Sequence, residues 1–176
     1  MPFLENTVSE AALLDVCDLH VHYGHHRNPV KAVDGVSLTV NRGECVGLVG
    51  ESGCGKSTLG RAVLRLEKWR DGDVMFDGAS VARLRGGDLK KYRKRAQMIF
   101  QDPYGSLNPR RRVGAIIGDP FDIHGLSPGP ERIPRVQELM ELVGLSPEHY
   151  NRFPGDFSGG QRQRVVIARA IALQPT

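Results

Sequence analysis

Two short stretches hold residues whose types and spacing could do chemistry. The first is "GESGCGKST", in which Gly50, Gly55, Lys56 and Ser57 keep the spacing G-x-x-x-x-G-K-[ST]. Glycine lets such a loop curl at little steric cost, until consecutive main-chain N–H groups point at one anion. The cradle runs through Gly50, Glu51, Ser52, Gly53, Cys54 and Gly55 to Thr58. A helix that follows adds its N-terminal dipole and free N–H groups to the same anion. Lys56 is placed to neutralise outer phosphates as a point charge, and the Ser57 hydroxyl to ligate Mg²⁺.

The second stretch is "FSGGQRQR", Phe157 to Arg164. Ser158 followed three residues later by Gln161 predicts a capping box: the hydroxyl accepts from the N3 amide and Gln161 reaches back to the N-cap amide. Val165, Ala168 and Ala172, with Ile167 and Ile171, then recur at helical spacing. A plain cap does not explain Gly159 and Gly160, each of which costs about 1 kcal/mol against alanine. Two glycines with exposed amides at a positive helix end make a second anion site. Within one sheet domain the two sites are not expected to meet on one phosphate. Two chains facing head-to-tail would bring them together.

The elements that must position these loops are legible in outline. "LLDVCDLHVHY" alternates in part and "VSLTV" alternates cleanly, so both predict strands. "CVGLVG" (Cys45 to Gly50) is a short continuous apolar run before the loop, the pattern of a strand buried on both faces in a parallel sheet. "LGRAVLRLEKW" reads as the helix after the loop. "DGDVMFDG" frames a short strand with Asp-Gly turns, and "AQMIFQD" (Ala96 to Asp102) is a second buried-strand candidate. From "PYGSLNPRRR" onward proline and glycine punctuate a region without a good strand. Val136, Leu139, Met140 and Val143 fall at helical spacing and Gly144 supplies a stop. This predicts a flexible tail at 1–12, a phosphate-binding α/β core at 13–101, a helical subdomain at 102–157 and a closing helix at 158–176.

Composition sets the outer limits. With 176 residues, 40% hydrophobic and 25% charged, the chain can bury one real core. No apolar run approaches the roughly 20 residues of a membrane span, and the acidic N-terminal stretch is no secretory signal. Cys17, Cys45 and Cys54 are odd in number and widely spaced, with no C-x-x-C, which argues against both a disulfide framework and a zinc site and for a reducing cytosol. The net charge of +4 is concentrated in "LKKYRKR" and in Arg110 to Arg112. These runs read as solvated faces. No aromatic-interleaved basic motif accompanies them, so nucleic acid is not expected as a partner.

Together, "GESGCGKST" and "FSGGQRQR" resemble the two diagnostic motifs of the ATP-binding subunits of ABC transporters, with Phe157 where leucine is usual. Gln101, closing "MIFQ", is similar to that family's Q-loop glutamine, and Tyr23 to the aromatic residue that stacks on adenine. The strings "QDPYGSLNPRRRVG" and "HYNRFPGDFSGGQRQR" resemble the dipeptide/oligopeptide importer branch, which includes nickel importers. The resemblance spans about residues 13–176 and implies a P-loop NTPase core with antiparallel β and inserted helical subdomains, incomplete at its C-terminus. It makes the core at 13–101 nucleotide-binding and gives it the antiparallel part. It implies ATP on Tyr23 and the phosphate loop, with Mg²⁺ held by Ser57 and Gln101, and Lys56 and Gln101 as catalytic residues. It implies that Ser158, Gly159, Gly160 and Gln161 close over the ATP of a second, related subunit. The helical subdomain would dock on permease subunits, with Arg110 to Arg112 facing a coupling helix or lipid headgroups. The whole would lie peripherally on the cytoplasmic face of a bacterial or archaeal membrane.

The same resemblance expects an apolar strand ending Asp-Glu after the signature helix, and a switch histidine beyond it. The sequence ends at Gln174-Pro175-Thr176 without either. His20, His22, His25, His26, His124 and His149 all precede Ser158. The 176 residues are therefore expected to hydrolyse ATP poorly. Three other readings are a non-hydrolysing remnant that at most binds nucleotide, a non-transport ABC ATPase and a P-loop kinase. A P-loop kinase has no need of Ser-Gly-Gly-Gln.

Overall fold

A computed structural model describes residues 12–24, 29–126 and 129–176. The expected tail, save residue 12, lies outside the described residues, as do His25 and His26. The chain divides into two compact units between Gly86 and Gly87.

The first unit is built on an antiparallel sheet. β1 (Leu14–Tyr23) is flanked by β2 (Val30–Val40) and β3 (Asp71–Phe76), and β4 (Ala79–Ser80) pairs with β3, giving the order β2-β1-β3-β4. Val16, Leu19, Val21, Val33 and Val74 are buried. The step from Val16 to Leu19 breaks strict alternation because β1 carries a bulge there: Val16 pairs with Leu38, but Leu19 with Val36. Asp18 stands in the bulge at φ 46, and its amide donates to Ser37 Oγ at 2.9 Å. The bulge explains why "LLDVCDLHVHY" alternates only in part. α1 (Lys56–Val63) lies against β1 and β2 through buried Leu59 and Ala62.

The second unit is helical: α2 (Gly86–Arg95, beginning at the boundary), α3 (Pro103–Ser106), α4 (Val113–His124), α5 (Arg132–Leu142) and α6 (Gly159–Ile171). Its core joins Val113, Ile117 and Phe121 of α4 to Val136 and Met140 of α5 and Val165 of α6, all fully buried. α5 stops where the sequence predicts. Gly144 takes φ +73, its amide donates to Glu141 O at 2.8 Å, and the amide of Leu145 donates to Met140 O at 2.8 Å. Those paired bonds close a Schellman motif, and buried Leu145 joins Met140 in the core.

Two predicted strands do not form. Residues 45–50 and 96–101 pair with no other described strand. Val46, Leu48 and Val49 are 47, 50 and 94% exposed, and Ile99 and Phe100 are exposed as well. A continuous apolar run encodes burial, but a strand exists only where a neighbour supplies the other half of each hydrogen bond. The described residues supply none for these runs, so the one sheet is antiparallel and Gln101 does not end a strand.

Candidate functional site

The glycine-rich loop leads into α1 as its spacing requires. Gly55 is the N-cap, at φ 97 and ψ 0, and no side chain caps the helix. The first-turn amides therefore have no side-chain partner and stay available to an anion. Position 55 demands glycine, and Gly50 is closely approached. A Cβ on Gly55 would stand 2.0 Å from the backbone oxygen of Ala32 in β2, and one on Gly50 2.7 Å from Cys54 Sγ. The loop is pressed against β2 on one side and folded on itself on the other.

Lys56 curls back over that fold. Its Nζ donates to Gly50 O and Glu51 O, each at 2.6 Å, and lies 3.4 Å from Cys54 Sγ. An ammonium held by two carbonyls at the loop's centre can exchange those partners for the oxygens of a phosphate. Ser57 is exposed in the first turn of α1, with Thr58 behind it half-buried, so the Ser57 hydroxyl is free to meet a cation. Glu51, Ser52 and Gly53 are exposed along the loop rim. Beside the loop opens a groove of about 380 Å³ walled by Gly55, Lys56, Ala32, Val33, Leu48 and Val49. Tyr23, at the end of β1 in the same unit, is 39% exposed, enough to offer a ring face.

The second motif is built as its residues predict. Ser158 is the N-cap of α6. Its Oγ accepts from the Gln161 amide at 3.3 Å, and Gln161 Oε1 accepts from the Ser158 amide at 2.9 Å. Phe157, directly before the cap, is buried in the helical core with its ring edge-on to His149 at 5.7 Å, which fixes where the helix begins. Gly159 and Gly160 are exposed, and a Cβ on Gly160 would meet no heavy atom within 4 Å. Nothing in its own unit requires glycine there. Gln101 is exposed in the unpaired segment of the second unit.

The arginines of "QRQR" do work the sequence reading missed. Arg162 donates to Pro154 O at 2.7 Å, Arg164 to Val143 O and Gly144 O at 3.1 Å each, and Arg169 further along to Ser106 O at 2.8 Å. α6 thus ties the ends of α5 and α3 to itself through charge-assisted bonds to open carbonyls. Three arginines, at 162, 164 and 169, on a helix with buried Ala168 and Ala170 were the available signal. Arg111 and Arg112, read as solvated, also have internal partners. Arg111 grips Asp119 with both terminal nitrogens at 2.6 Å, and Arg112 donates to Asn151 Oδ1 at 3.0 Å.

Comparison with known proteins bears directly on these two loops. The family model described as ABC transporter matches residues 33–176, which include both. The chain belongs to the ABC transporter family. The oligopeptide transport ATP-binding protein OppF of Bacillus subtilis is 52% identical over 165 residues, covering 93% of this chain and 54% of that protein. OppF of Streptococcus mutans is 50% identical over 149 residues, covering 84% and 48%. AppF of Bacillus subtilis, also named an oligopeptide transport ATP-binding protein, is 51% identical over 147 residues, covering 83% and 45%. The chain thus spans about half the length of the curated relatives it matches. Among solved structures, the ATP-binding cassette MJ0796, described as a dimer bound to ADP and Pi, matches with a TM-score of 0.81 at 30% identity. That match covers 92% of this chain and 70% of the other. The fold is that of an ABC cassette: a P-loop NTPase with an antiparallel β part and a helical part. No helix among the described residues of this ABC chain is long and apolar enough to cross a membrane.

Proposed function

We propose that this chain binds MgATP as the energy-coupling subunit of an ABC importer for peptides or similar small solutes. The observation that carries the reading is the phosphate loop, with Lys56 Nζ held at its centre and an uncapped helix N-terminus facing the same space. Tyr23 stacks on adenine, and the amides from Gly50 to Thr58 hold the phosphates. Lys56 and Gln101 are the catalytic residues. Ser57 and Gln101 hold Mg²⁺, which when bound neutralises and orients phosphate oxygens. Residues 13–101 serve as the nucleotide-binding core and 102–157 as the part that docks on permease subunits. The protein then acts peripherally at the cytoplasmic face of a bacterial or archaeal membrane.

Ser158, Gly159, Gly160 and Gln161 close over ATP held by a second, related subunit. Support comes from the exposed Gly159-Gly160 pair: a Cβ on Gly160 would meet no heavy atom within 4 Å, so packing within its own unit does not account for glycine there. The matched relatives OppF and AppF are named for oligopeptide transport, which favours a peptide-type solute. ATP turnover also needs an acidic residue on Mg²⁺ and a group that positions water. No apolar run ending Asp-Glu occurs in these 176 residues, so on their own they bind ATP and turn it over slowly.

Titration with a fluorescent ATP analogue tests the binding half. Lys56→Ala removes a charge-assisted contact of roughly 1.5–3 kcal/mol, which weakens affinity roughly 10- to 150-fold. Equal affinity in the two proteins would refute the site. Brisk, Lys56-dependent hydrolysis by the 176 residues alone would refute the slow-turnover assignment.

A further inference from the structure

On the face of β1 opposite Leu19 and Val21, a cluster stands apart from the phosphate-binding loop. His20 and His22 project from the same side of the strand, and register places Asp34 of β2 directly across from His20. His20 Nδ1 is 3.0 Å from Asp34 Oδ1, and His22 Nε2 is 3.7 Å from the same oxygen. The three donor atoms all lie within 4.8 Å of one another. We propose that His20, His22 and Asp34 bind a divalent transition-metal ion, with Zn²⁺ the best fit.

Three features point to a metal rather than a hydrogen-bonded surface cluster. First, the donor set of two imidazoles and one carboxylate is one that Zn²⁺ accepts, at bond lengths near 2.0–2.2 Å. Donors around such an ion stand roughly 3.3 Å apart in a tetrahedron, so small side-chain rotations close the site. Asp34 is 47% exposed, which leaves room for water as a fourth ligand.

Second, the remaining nitrogen of His20 is already directed. Its Nε2 lies 3.3 Å from Asp18 Oδ1. A carboxylate behind a ligating imidazole fixes the tautomer and raises the basicity of the nitrogen facing the metal. With the proton on Nε2, the Nδ1 lone pair faces Asp34 Oδ1 at 3.0 Å, a pair of donors that a metal ion would bridge. The bulge at Asp18 makes this possible, because an extra residue there turns Asp18 toward His20. Gly35 keeps the space open: a Cβ on it would reach within 3.2 Å of Asp18 Oδ1.

Third, His22 is nearly enclosed, with its side chain 13% exposed, and neither ring nitrogen has a hydrogen-bond partner among the described residues. A buried imidazole without partners is unfavourable, and an ion at Nε2 removes that deficit at one of the two nitrogens. Lys31, the nearby cation, pairs with the other oxygen of Asp34, Oδ2 at 3.1 Å, and leaves Oδ1 to the metal. A bound ion would clamp β1 to β2 next to Tyr23.

The test is calorimetric titration of ZnCl₂ into the intact, untagged chain, followed by NMR of the histidine side chains. We expect one ion per chain with micromolar affinity, shifting the His20 and His22 ring signals and leaving those of His124 and His149 in place. His22→Gln and Asp34→Asn should each weaken binding at least tenfold. Asp18→Asn, on an exposed residue, should weaken it roughly 10- to 100-fold through His20. His25 and His26 remain in every variant. Binding that survives His22→Gln and Asp34→Asn undiminished would overturn the proposal, as would no binding at submillimolar Zn²⁺. Should those variants fail to fold, the visible spectrum of the unmodified chain with one equivalent of Co²⁺ decides. Intense bands of a four-coordinate site support the assignment, and the weak spectrum of hydrated Co²⁺ overturns it.

Discussion

Replacing Gly55 by alanine probes how the phosphate loop is held. An L-residue in the left-handed region, here at φ 97, carries a strain of roughly 1–2 kcal/mol. The new Cβ would also stand 2.0 Å from Ala32 O. That neighbour is backbone near the start of β2, at the register irregularity between Val33 and Lys31, and cannot swing away as a side chain does, so the N-terminus of α1 or β2 must move. Overpacking of this kind costs roughly 1–3 kcal/mol. The sum, about 2–5 kcal/mol, is a large part of a typical domain's stability of roughly 5–15 kcal/mol. Gly53 provides the control. It has φ +84 but no heavy atom within 4 Å of an added Cβ, so Gly53→Ala carries the strain alone, about 1–2 kcal/mol. Urea unfolding of the parent and both variants, followed by circular dichroism, gives the two costs. Gly55→Ala should exceed Gly53→Ala by about 1–3 kcal/mol. If the two cost the same, the approach of the loop to β2 is not why glycine is needed at 55.

Three further substitutions separate fold from function. Gly160→Ala should leave folding unharmed or improve it by up to about 1 kcal/mol, yet impair ATP-dependent pairing with a second subunit; denaturation with analytical ultracentrifugation checks both halves. Arg164→Ala should destabilise the helical unit by roughly 1.5 kcal/mol, because the Val143 and Gly144 carbonyls just past α5 lose their donor, and urea unfolding reads this. The His124 pKa is lowered from its ordinary 6.5 by partial burial and by the charges of Lys90 and Lys94. The unfolded chain therefore binds that proton more readily. The stability involved is full above pH 6.5 and falls as pH drops below it. His124→Gln should flatten that acid limb in unfolding curves taken as a function of pH, and an unchanged limb would contradict the assignment.

Much of this was legible in the sequence because it is local. The capping box at Ser158 and Gln161, the stop at Gly144, the strands β1 to β3 and the helix after the phosphate loop all follow from spacing and backbone preference. What escaped was set by partners distant in sequence. "CVGLVG" and "MIFQ" have the composition of buried strands, but composition does not name the strand that pairs with them, and no described segment does. The need for glycine at 55 could be read as a turn requirement, while its contact with Ala32 arises only once β2 packs against α1. His20 and His22 are visibly two apart on a strand. Their meeting with Asp34 depends on the β1–β2 register and on a bulge that interrupts the alternation used to find strands. The roles of the α6 arginines escaped because the carbonyls they cap belong to other elements.

The central claim, ATP seated between the phosphate loop and Tyr23, is tested most directly by photolabelling with azido-ATP and mapping the modified peptide by mass spectrometry. The account predicts Mg²⁺-dependent label on the segment that ends β1, at or beside Tyr23, largely lost in Lys56→Ala. Label elsewhere in the chain, or label at Tyr23 indifferent to Lys56, would contradict it.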